Sequence, residues 1–219
     1  LTIVWAQEQT AGRGRHGRSW SSPRGNLYLS ILMRPDCDVA EAPQIGFAVG
    51  AAMARAIREA SGAEVVLKWP NDLLLADGKV SGILLESAAA SDGGLDWVIA
   101  GIGVNVDSTP EVSGAACLRE AGHAVAVETL LERFLPLLLE MLELWRRDGF
   151  APVGAIWTAL ALAPETELSV KMPDGERTGT FAGIDARGNL MLRGGDVIEH
   201  IAVGDVFPLS TGSGDDGAN

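Results

Sequence analysis

Between Glu64 and Val106 the chain passes repeatedly through a short β-prone run and then a turn, and this succession limits its fold more than any other stretch. Val65-Val66-Leu67 reads as a strand within Glu64 to Trp69, ending in Lys68-Trp69-Pro70-Asn71-Asp72. Leu73 to Leu75 stays extended, Asp77-Gly78 makes a hairpin turn and Lys79 to Glu86 is the return strand. Asp92-Gly93-Gly94 turns the chain into a further strand, Trp97 to Val106. Strands in direct succession imply a largely antiparallel sheet, and the helical pattern of Ala42 to Ala60, with Ile45, Val49, Met53 and Ile57 one turn apart and Gly62 as its stop, supplies a helix to back it.

Upstream, Leu1 to Ala6 and Leu27 to Met33 read as two strands of one sheet flanking a loop rich in arginine and glycine. Downstream, a short helix is expected at Ala115 to Ala121, a long one at Glu128 to Asp148 and another at Val153 to Leu162. The expected apolar stripe of the long helix is Leu131, Phe134/Leu135, Leu138, Met141/Leu142 and Trp145. After Ala163-Pro164 the pattern changes to short strands, Thr166 to Val170, Arg177 to Ile184, Leu190 to Arg193 and Val197 to Val203, which suggest a small SH3-like barrel. The expected organisation is therefore α+β: a mixed, largely antiparallel sheet backed by helices over residues 1–163, a β domain over 164–209, and a Gly/Ser/Asp-rich tail over 210–219 read as disordered.

Charge narrows the function classes. Five arginines against one acid, Glu8, make residues 1–35 net +4 on a chain whose total is −12, so the remainder is strongly acidic. That balance argues against a general nucleic-acid binder and DNA as a partner, while the local positive island suits a small anion. Two distant cysteines, Cys37 and Cys117, give neither a disulfide framework nor a metal cluster and point to a cytoplasmic setting. Neither a signal peptide nor a membrane-spanning run is recognisable.

The island is Gly12-Arg13-Gly14-Arg15-His16-Gly17-Arg18, closed by Trp20. Glycine permits a tightly wrapped backbone and arginine offers a planar fork for carboxylate or phosphate. Taken alone it also reads as a solvated basic turn or an Arg/Gly nucleic-acid tether. It lacks the spacing of a P-loop or of a dinucleotide fingerprint. Lys68 leaves a strand beside Asn71 and Asp72, offering a cation for phosphate and a carboxylate for a metal or polar substrate, though such a run is also an ordinary polar turn. Gly82 interrupts the strand begun by Lys79, and Gly101 and Gly103 precede Asn105, whose valine neighbours predict a buried amide in need of partners.

In order and spacing, GRGRHGRSW (12–20), GNLYLS (25–30), KWPNDL (68–73), KVSGILLE (79–86) and GIGVNV (101–106) resemble the motifs of the biotin protein ligase family, here of the monofunctional type without a DNA-binding domain. The resemblance implies the biotin and lipoyl ligase fold, related to class II aminoacyl-tRNA synthetases, with a C-terminal SH3-like domain. It also implies an ATP-dependent ligase using biotin, ATP and Mg²⁺, whose protein partner is a biotin carboxyl carrier domain, and it leaves a homodimer open. On matching positions Arg15, Lys79 and Asp72 would be catalytic. Gln9, Gly12, Arg13, Gly14, Arg18, Trp20, Lys68, Asn71, Gly82, Ile83, Gly103 and Asn105 would bind biotin or nucleotide, with Trp20 closing over adenine, Gly82, Ile83 and Leu84 flooring the biotin end, and no protein-held metal site. A lipoate or octanoyl ligase-like enzyme, or a binding module with impaired catalysis, are the alternatives. One departure is that the Ser/Thr-Thr-Asn element expected upstream of the loop has no counterpart; with Leu at position 1, truncation is the expectation, as is the absence of a repressor domain.

Overall fold

The computed structural model describes residues 1–209; the expected disordered tail, 210–219, lies outside them. Strands β1 (Thr2–Ala6), β2 (Leu27–Met33), β3 (Val65–Lys68), β4 (Asp72–Leu75), β5 (Gly78–Ala89) and β6 (Leu95–Val104) form one sheet in the order β1-β2-β6-β5-β4-β3. Every neighbouring pair is antiparallel, as turns between successive strands require.

Helix α1 (Ala42–Ser61) lies across one face of this sheet. Pro43 stands in its first turn, where a missing N–H costs nothing, and a short 3-10 turn over Val39–Glu41 leads into it, with the Asp38 N–H donating to the Glu41 carboxylate at 3.1 Å. Gly62 ends it in the left-handed region at φ 71°. The helix is apolar almost all round because α2 (Val127–Asp148) and α3 (Phe150–Ala159) cover its outer side. Gly46 and Gly50 permit this close packing: a Cβ there would lie 3.1 Å from Leu85 and 3.2 Å from Leu67. In α2 the buried residues are Leu130, Phe134, Leu137, Leu138, Met141 and Trp145, so Leu131, Leu135 and Leu142 of the expected stripe lie at its half-buried margin.

Residues 115–121 are not helical. Their backbone instead serves the sheet: the Lys79 N–H donates to Gly114 O at 2.7 Å, and Ala116 N–H to Lys79 O at 2.9 Å.

The C-terminal strands β7 (Glu167–Met172), β8 (Gly175–Ile184), β9 (Leu190–Gly194), β10 (Val197–Ile201) and β11 (Asp205–Pro208) make a five-stranded antiparallel sheet ordered β10-β9-β8-β7-β11. Among the described residues no ladder joins β10 to β11. The last strand, β11, was not expected from the sequence. This sheet docks on the first through its 185–189 turn, where Gly188, at φ 83°, sits so close to Phe47 that a Cβ would lie 2.6 Å from the ring. The Gly188 carbonyl accepts the buried Trp69 Nε1–H at 2.9 Å, and Phe47 stacks edge-on against Trp157 with centroids 5.1 Å apart.

Asp185 organises that turn. Its carboxylate accepts the Arg187 N–H at 2.8 Å, the Asn189 N–H at 2.9 Å and the Asn189 Nδ2–H at 2.9 Å, and pairs with His200 Nδ1 at 2.9 Å. Burial pushes its pKa up, but the contacts with His200, Asn189 and the backbone outweigh it and bring it down from 3.8 to about 2. A depressed carboxyl stabilises the fold above its unfolded pKa and ceases to do so as pH falls through the folded value. Urea unfolding followed from pH 5 to pH 2 (on the order of the carboxylate range) should therefore show wild type losing stability relative to Asp185→Asn; parallel curves would remove this role.

Candidate active site

The Gly/Arg loop is a closed arm. Trp20 N–H donates to Gly12 O at 2.9 Å and Gly14 N–H to Arg18 O at 2.7 Å, and an Arg13–Ser19 bridge lies between. A tight turn over Arg15–Gly17 reverses the chain, with His16 at φ 54° and Gly17 at φ 72°, a run of left-handed conformations that glycine tolerates. At the base, Ser22 Oγ donates to Gln9 Oε1 at 2.7 Å. Gly12 is packed into this base, where a Cβ would fall 2.3 Å from Trp20 O, so its place is structural and off the cavity wall.

The arm folds over the sheet face opposite α1, where alternation along the strands brings Ser30, Gly82, Leu84, Gly101 and Gly103 together. Three glycines leave a shallow trough, and the Trp20 indole lies in it: a Cβ on Gly103 would be 2.6 Å from the ring. Trp20 Nε1 is buried there without a partner. Ile83, expected in the floor, points the other way, toward Gly50 of α1, and offers only its backbone to the site. Gly82 and Leu84, expected there with it, line the floor together with Gly101 and Gly103.

Asp72 is the electrostatic centre. It lies 3.1 Å from Lys68 Nζ and 2.6 Å from Lys79 Nζ, and its side chain is only 13% exposed. Charges this close and this sheltered hold one another firmly. Lys68 also donates to Val206 O at 3.0 Å, and Lys79 Nζ lies 5.3 Å from the Trp20 ring centroid, a cation–π distance. Asn71 ties the turn down: its Nδ2–H donates to Ile83 O at 2.7 Å, while its Oδ1 accepts from Arg15 Nη1 at 3.1 Å. The Trp69–Pro70 peptide within this turn is cis.

Asn105 is 1% exposed; its Nδ2–H donates to Ala116 O at 3.0 Å and its Oδ1 has no partner. An unpaired buried donor on Trp20 and an unpaired buried acceptor on Asn105, both lining one cavity, suit a polar ligand. The cavity measures about 470 Å³, and Gln9, Arg13, Gly14, Arg15, Arg18, Trp20, Lys68, Asn71, Asp72, Lys79, Gly82, Ile83, Gly103 and Asn105 all line it. Arg13 does so from the rim, 70% exposed and paired with Glu86 at 3.1 Å.

Two parts of the wall were not read from the sequence. One is the loop from Pro110 to Ala115; the other is Asp205, Val206 and Phe207 of β11. The first follows from Asn26, whose Oδ1 accepts the backbone N–H groups of Val106 at 2.9 Å, Asp107 at 2.9 Å and Ser108 at 3.2 Å. Asn26→Ala leaves these donors without a partner and should cost about 2–3 kcal/mol. Denaturant titration checks the magnitude, and a cost below about 1 kcal/mol would mean water replaces the amide.

Among the described residues there is no cluster of three or more His, Cys, Asp or Glu suited to a metal ion. No helix among them is long and apolar enough to cross a membrane.

Residues 1–105 match the model of the biotin/lipoate A/B protein ligase family, and residues 168–207 that of the biotin protein ligase C-terminal domain. The chain is 37% identical over 214 residues to a biotin--[acetyl-CoA-carboxylase] ligase of Paracoccus denitrificans, covering 93% of this chain and 89% of that one. It is 33% identical to a bifunctional ligase/repressor of Bacillus subtilis, covering 94% of this chain and 65% of that protein. Among solved structures, the biotin protein ligase from Aquifex aeolicus in complex with biotin and ATP superimposes with a TM-score of 0.80 at 29% identity, covering 94% of this chain and 87% of that one. With both family models in register along the chain and a relative of nearly the same extent, the chain belongs to the biotin/lipoate A/B protein ligase family.

Proposed function

We propose that this chain is a biotin protein ligase, which uses ATP to join biotin to a lysine of a biotin carboxyl carrier domain. The observation that carries the reading is the cavity itself: an apolar floor of Gly82, Leu84, Gly101 and Gly103, partly covered by the Trp20 indole, with Lys68, Lys79 and Arg15 held beside it by Asn71 and Asp72. An apolar body ending in a carboxylate suits the apolar part of this cavity, alongside the indole, and a triphosphate suits the cations.

In the first step a biotin carboxylate oxygen attacks the α-phosphorus of ATP, and the bond to the β-phosphate oxygen breaks to release pyrophosphate. Lys79, whose ammonium lines the cavity beside Asp72, would hold the two anions together and offset charge building at phosphorus. Lys68 and Arg15 would meet the phosphates, and Asn105 Oδ1 would accept from the nucleotide. In the second step the carrier amine attacks the anhydride carbonyl, AMP leaves, and the amine proton is lost. Asp72, between two lysines, would orient that amine.

Mg²⁺ would neutralise phosphate charge. Among the described residues the donor set offers no preformed cage, so the ion fits as one carried in by ATP, with Asp72 the sheltered carboxylate beside the lysines.

We place the domain boundary after residue 163, since Leu67 exchanges backbone hydrogen bonds with Leu160 and Leu162, which ties the chain up to that point to the first sheet. Two free cysteines suit a cytoplasmic setting, and the exposed Ile3, Val4 and Trp5 of edge strand β1 are compatible with a homodimer. The acidic net charge of −12 disfavours DNA.

Biotin-dependent exchange of labelled pyrophosphate into ATP tests the reading. Exchange with biotin and not with lipoate is expected; exchange with lipoate alone, or none with either, overturns it.

A further inference from the structure

The C-terminal sheet reaches the cavity through a carboxylate that the two reaction steps do not use. Asp205, the first residue of β11, stands between the arginines of the arm: its Oδ1 is 3.3 Å from Arg15 Nη1 and 4.0 Å from His16 Nε2, and its Oδ2 is 2.5 Å from Arg18 Nη2. The next residue, Val206, accepts Lys68 Nζ through its carbonyl at 3.0 Å. Consecutive residues of one strand thus hold cations from both the Gly/Arg arm and the Lys68–Asp72 turn. The strand is itself fixed, with Asp205, Val206, Phe207 and Pro208 in register against Lys171, Val170, Ser169 and Leu168 of β7.

Resting on the ligase reading above, we propose that Asp205 is a positioning residue for retention of the activated biotin. It fixes Arg15 and Arg18 so that the arm stays closed over the mixed anhydride until the acceptor amine arrives. An arm with Gly12, Gly14 and Gly17 loses much backbone freedom on closing, and a partner on a rigid strand offsets that cost. Asn71 and Asp205 engage Arg15 through the same nitrogen, Nη1, so Nε and Nη2 of its fork stay available for a phosphate. Carboxylate and phosphate can therefore share this arginine rather than compete for it. The pair is also better sheltered than a surface contact: the Arg15 and Asp205 side chains are 23% and 30% exposed, against 70% and 42% for Arg13 and Glu86.

The test compares full-length wild type, Asp205→Asn and Asp205→Glu for free biotinyl-adenylate released per biotin transferred to carrier, alongside kcat and KM for ATP in pyrophosphate exchange. Asp205→Asn keeps the shape and removes the charge. It should raise the released fraction about tenfold, the factor given by about 1.4 kcal/mol, and raise release more than it changes the KM for ATP. Asp205→Glu should restore retention, which a merely structural role in β11 would not require. Retention by Asp205→Asn equal to wild type overturns the proposal. So does a lower KM for ATP with tighter retention, since the carboxylate would then be a competitor of phosphate. If Asp205→Asn is less stable to heat, an Arg18→Ala/Asp205→Asn double-mutant cycle on the released fraction decides: coupling supports the proposal and additivity overturns it. Wild type that shows no exchange at all overturns the ligase reading itself, a separate outcome from any of these.

Discussion

Lys79→Ala is expected to lower biotin-dependent pyrophosphate exchange by about 10²–10³-fold, the loss typical of removing one preorganised donor from a site of developing charge. Lys79 is held from both sides of its backbone, by Gly114 O and the Ala116 N–H, so the strand should stay in place when the side chain is cut back. What changes is charge. Asp72, whose side chain is 13% exposed, would keep only Lys68, and the cavity would present a partly uncompensated carboxylate to two anionic reactants. The Trp20 indole would also lose the cation 5.3 Å from its ring centroid. Exchange measured together with the thermal midpoint separates the effects: a folded enzyme with near-normal exchange would remove Lys79 from the reaction.

Arg15→Gly should act on the other half of the cycle. This side chain joins the arm to Asn71 at 3.1 Å and to Asp205 at 3.3 Å, and without it the arm tip loses its direct hydrogen bond to the Lys68–Asp72 turn. Hydrogen bonds to a charged group are worth about 1.5–3 kcal/mol, which converts to roughly 10–100-fold faster escape of the adenylate. Escaped mixed anhydride acylates any accessible amine. Biotin should therefore appear on the lysines of an added bystander protein that has no carrier domain, and labelling confined to the carrier would refute the retaining role of Arg15.

Local pattern was enough to read α1, whose apolar spacing and terminal glycine agree, and the antiparallel run from Val65 to Val104, where turn residues punctuate apolar, β-prone runs. It was not enough to phase α2. Leu135, Leu137, Leu138 and Leu139 lie almost side by side, so several stripes fit the sequence equally, and packing on α1 selects the one through Leu130 and Leu137. The non-helical course of 115–121 is a tertiary override, because the Lys79 backbone claims the hydrogen bonds a helix would have used internally. β11 escaped notice because only Val206 of its residues is buried and Pro208 ends it, leaving no alternation to detect.

The candidate site divides the same way. Its chemistry was visible as residue types, arginines among glycines and lysines beside Asn71 and Asp72, because those side chains carry their charge wherever the fold puts them. Who neutralises whom was not visible. Asp72 holds both Lys68 and Lys79, and Arg15 meets a carboxylate 190 positions away, separations at which no spacing rule operates.

The joint between Trp69 and Gly188 bears on how such an enzyme comes into being on the ribosome. The indole N–H of the Lys68–Asp72 turn finds its acceptor 119 residues later, and the Lys68 ammonium finds one of its own 138 residues later, in the last strand. A nascent chain can complete the first sheet and α1 long before either acceptor has been synthesised. Asn71 fastens the turn to Ile83 early, but these two further ties wait for the C-terminal sheet, so on the proposals above competence to make a reactive acyl phosphate would arrive together with the strand proposed to keep it from escaping.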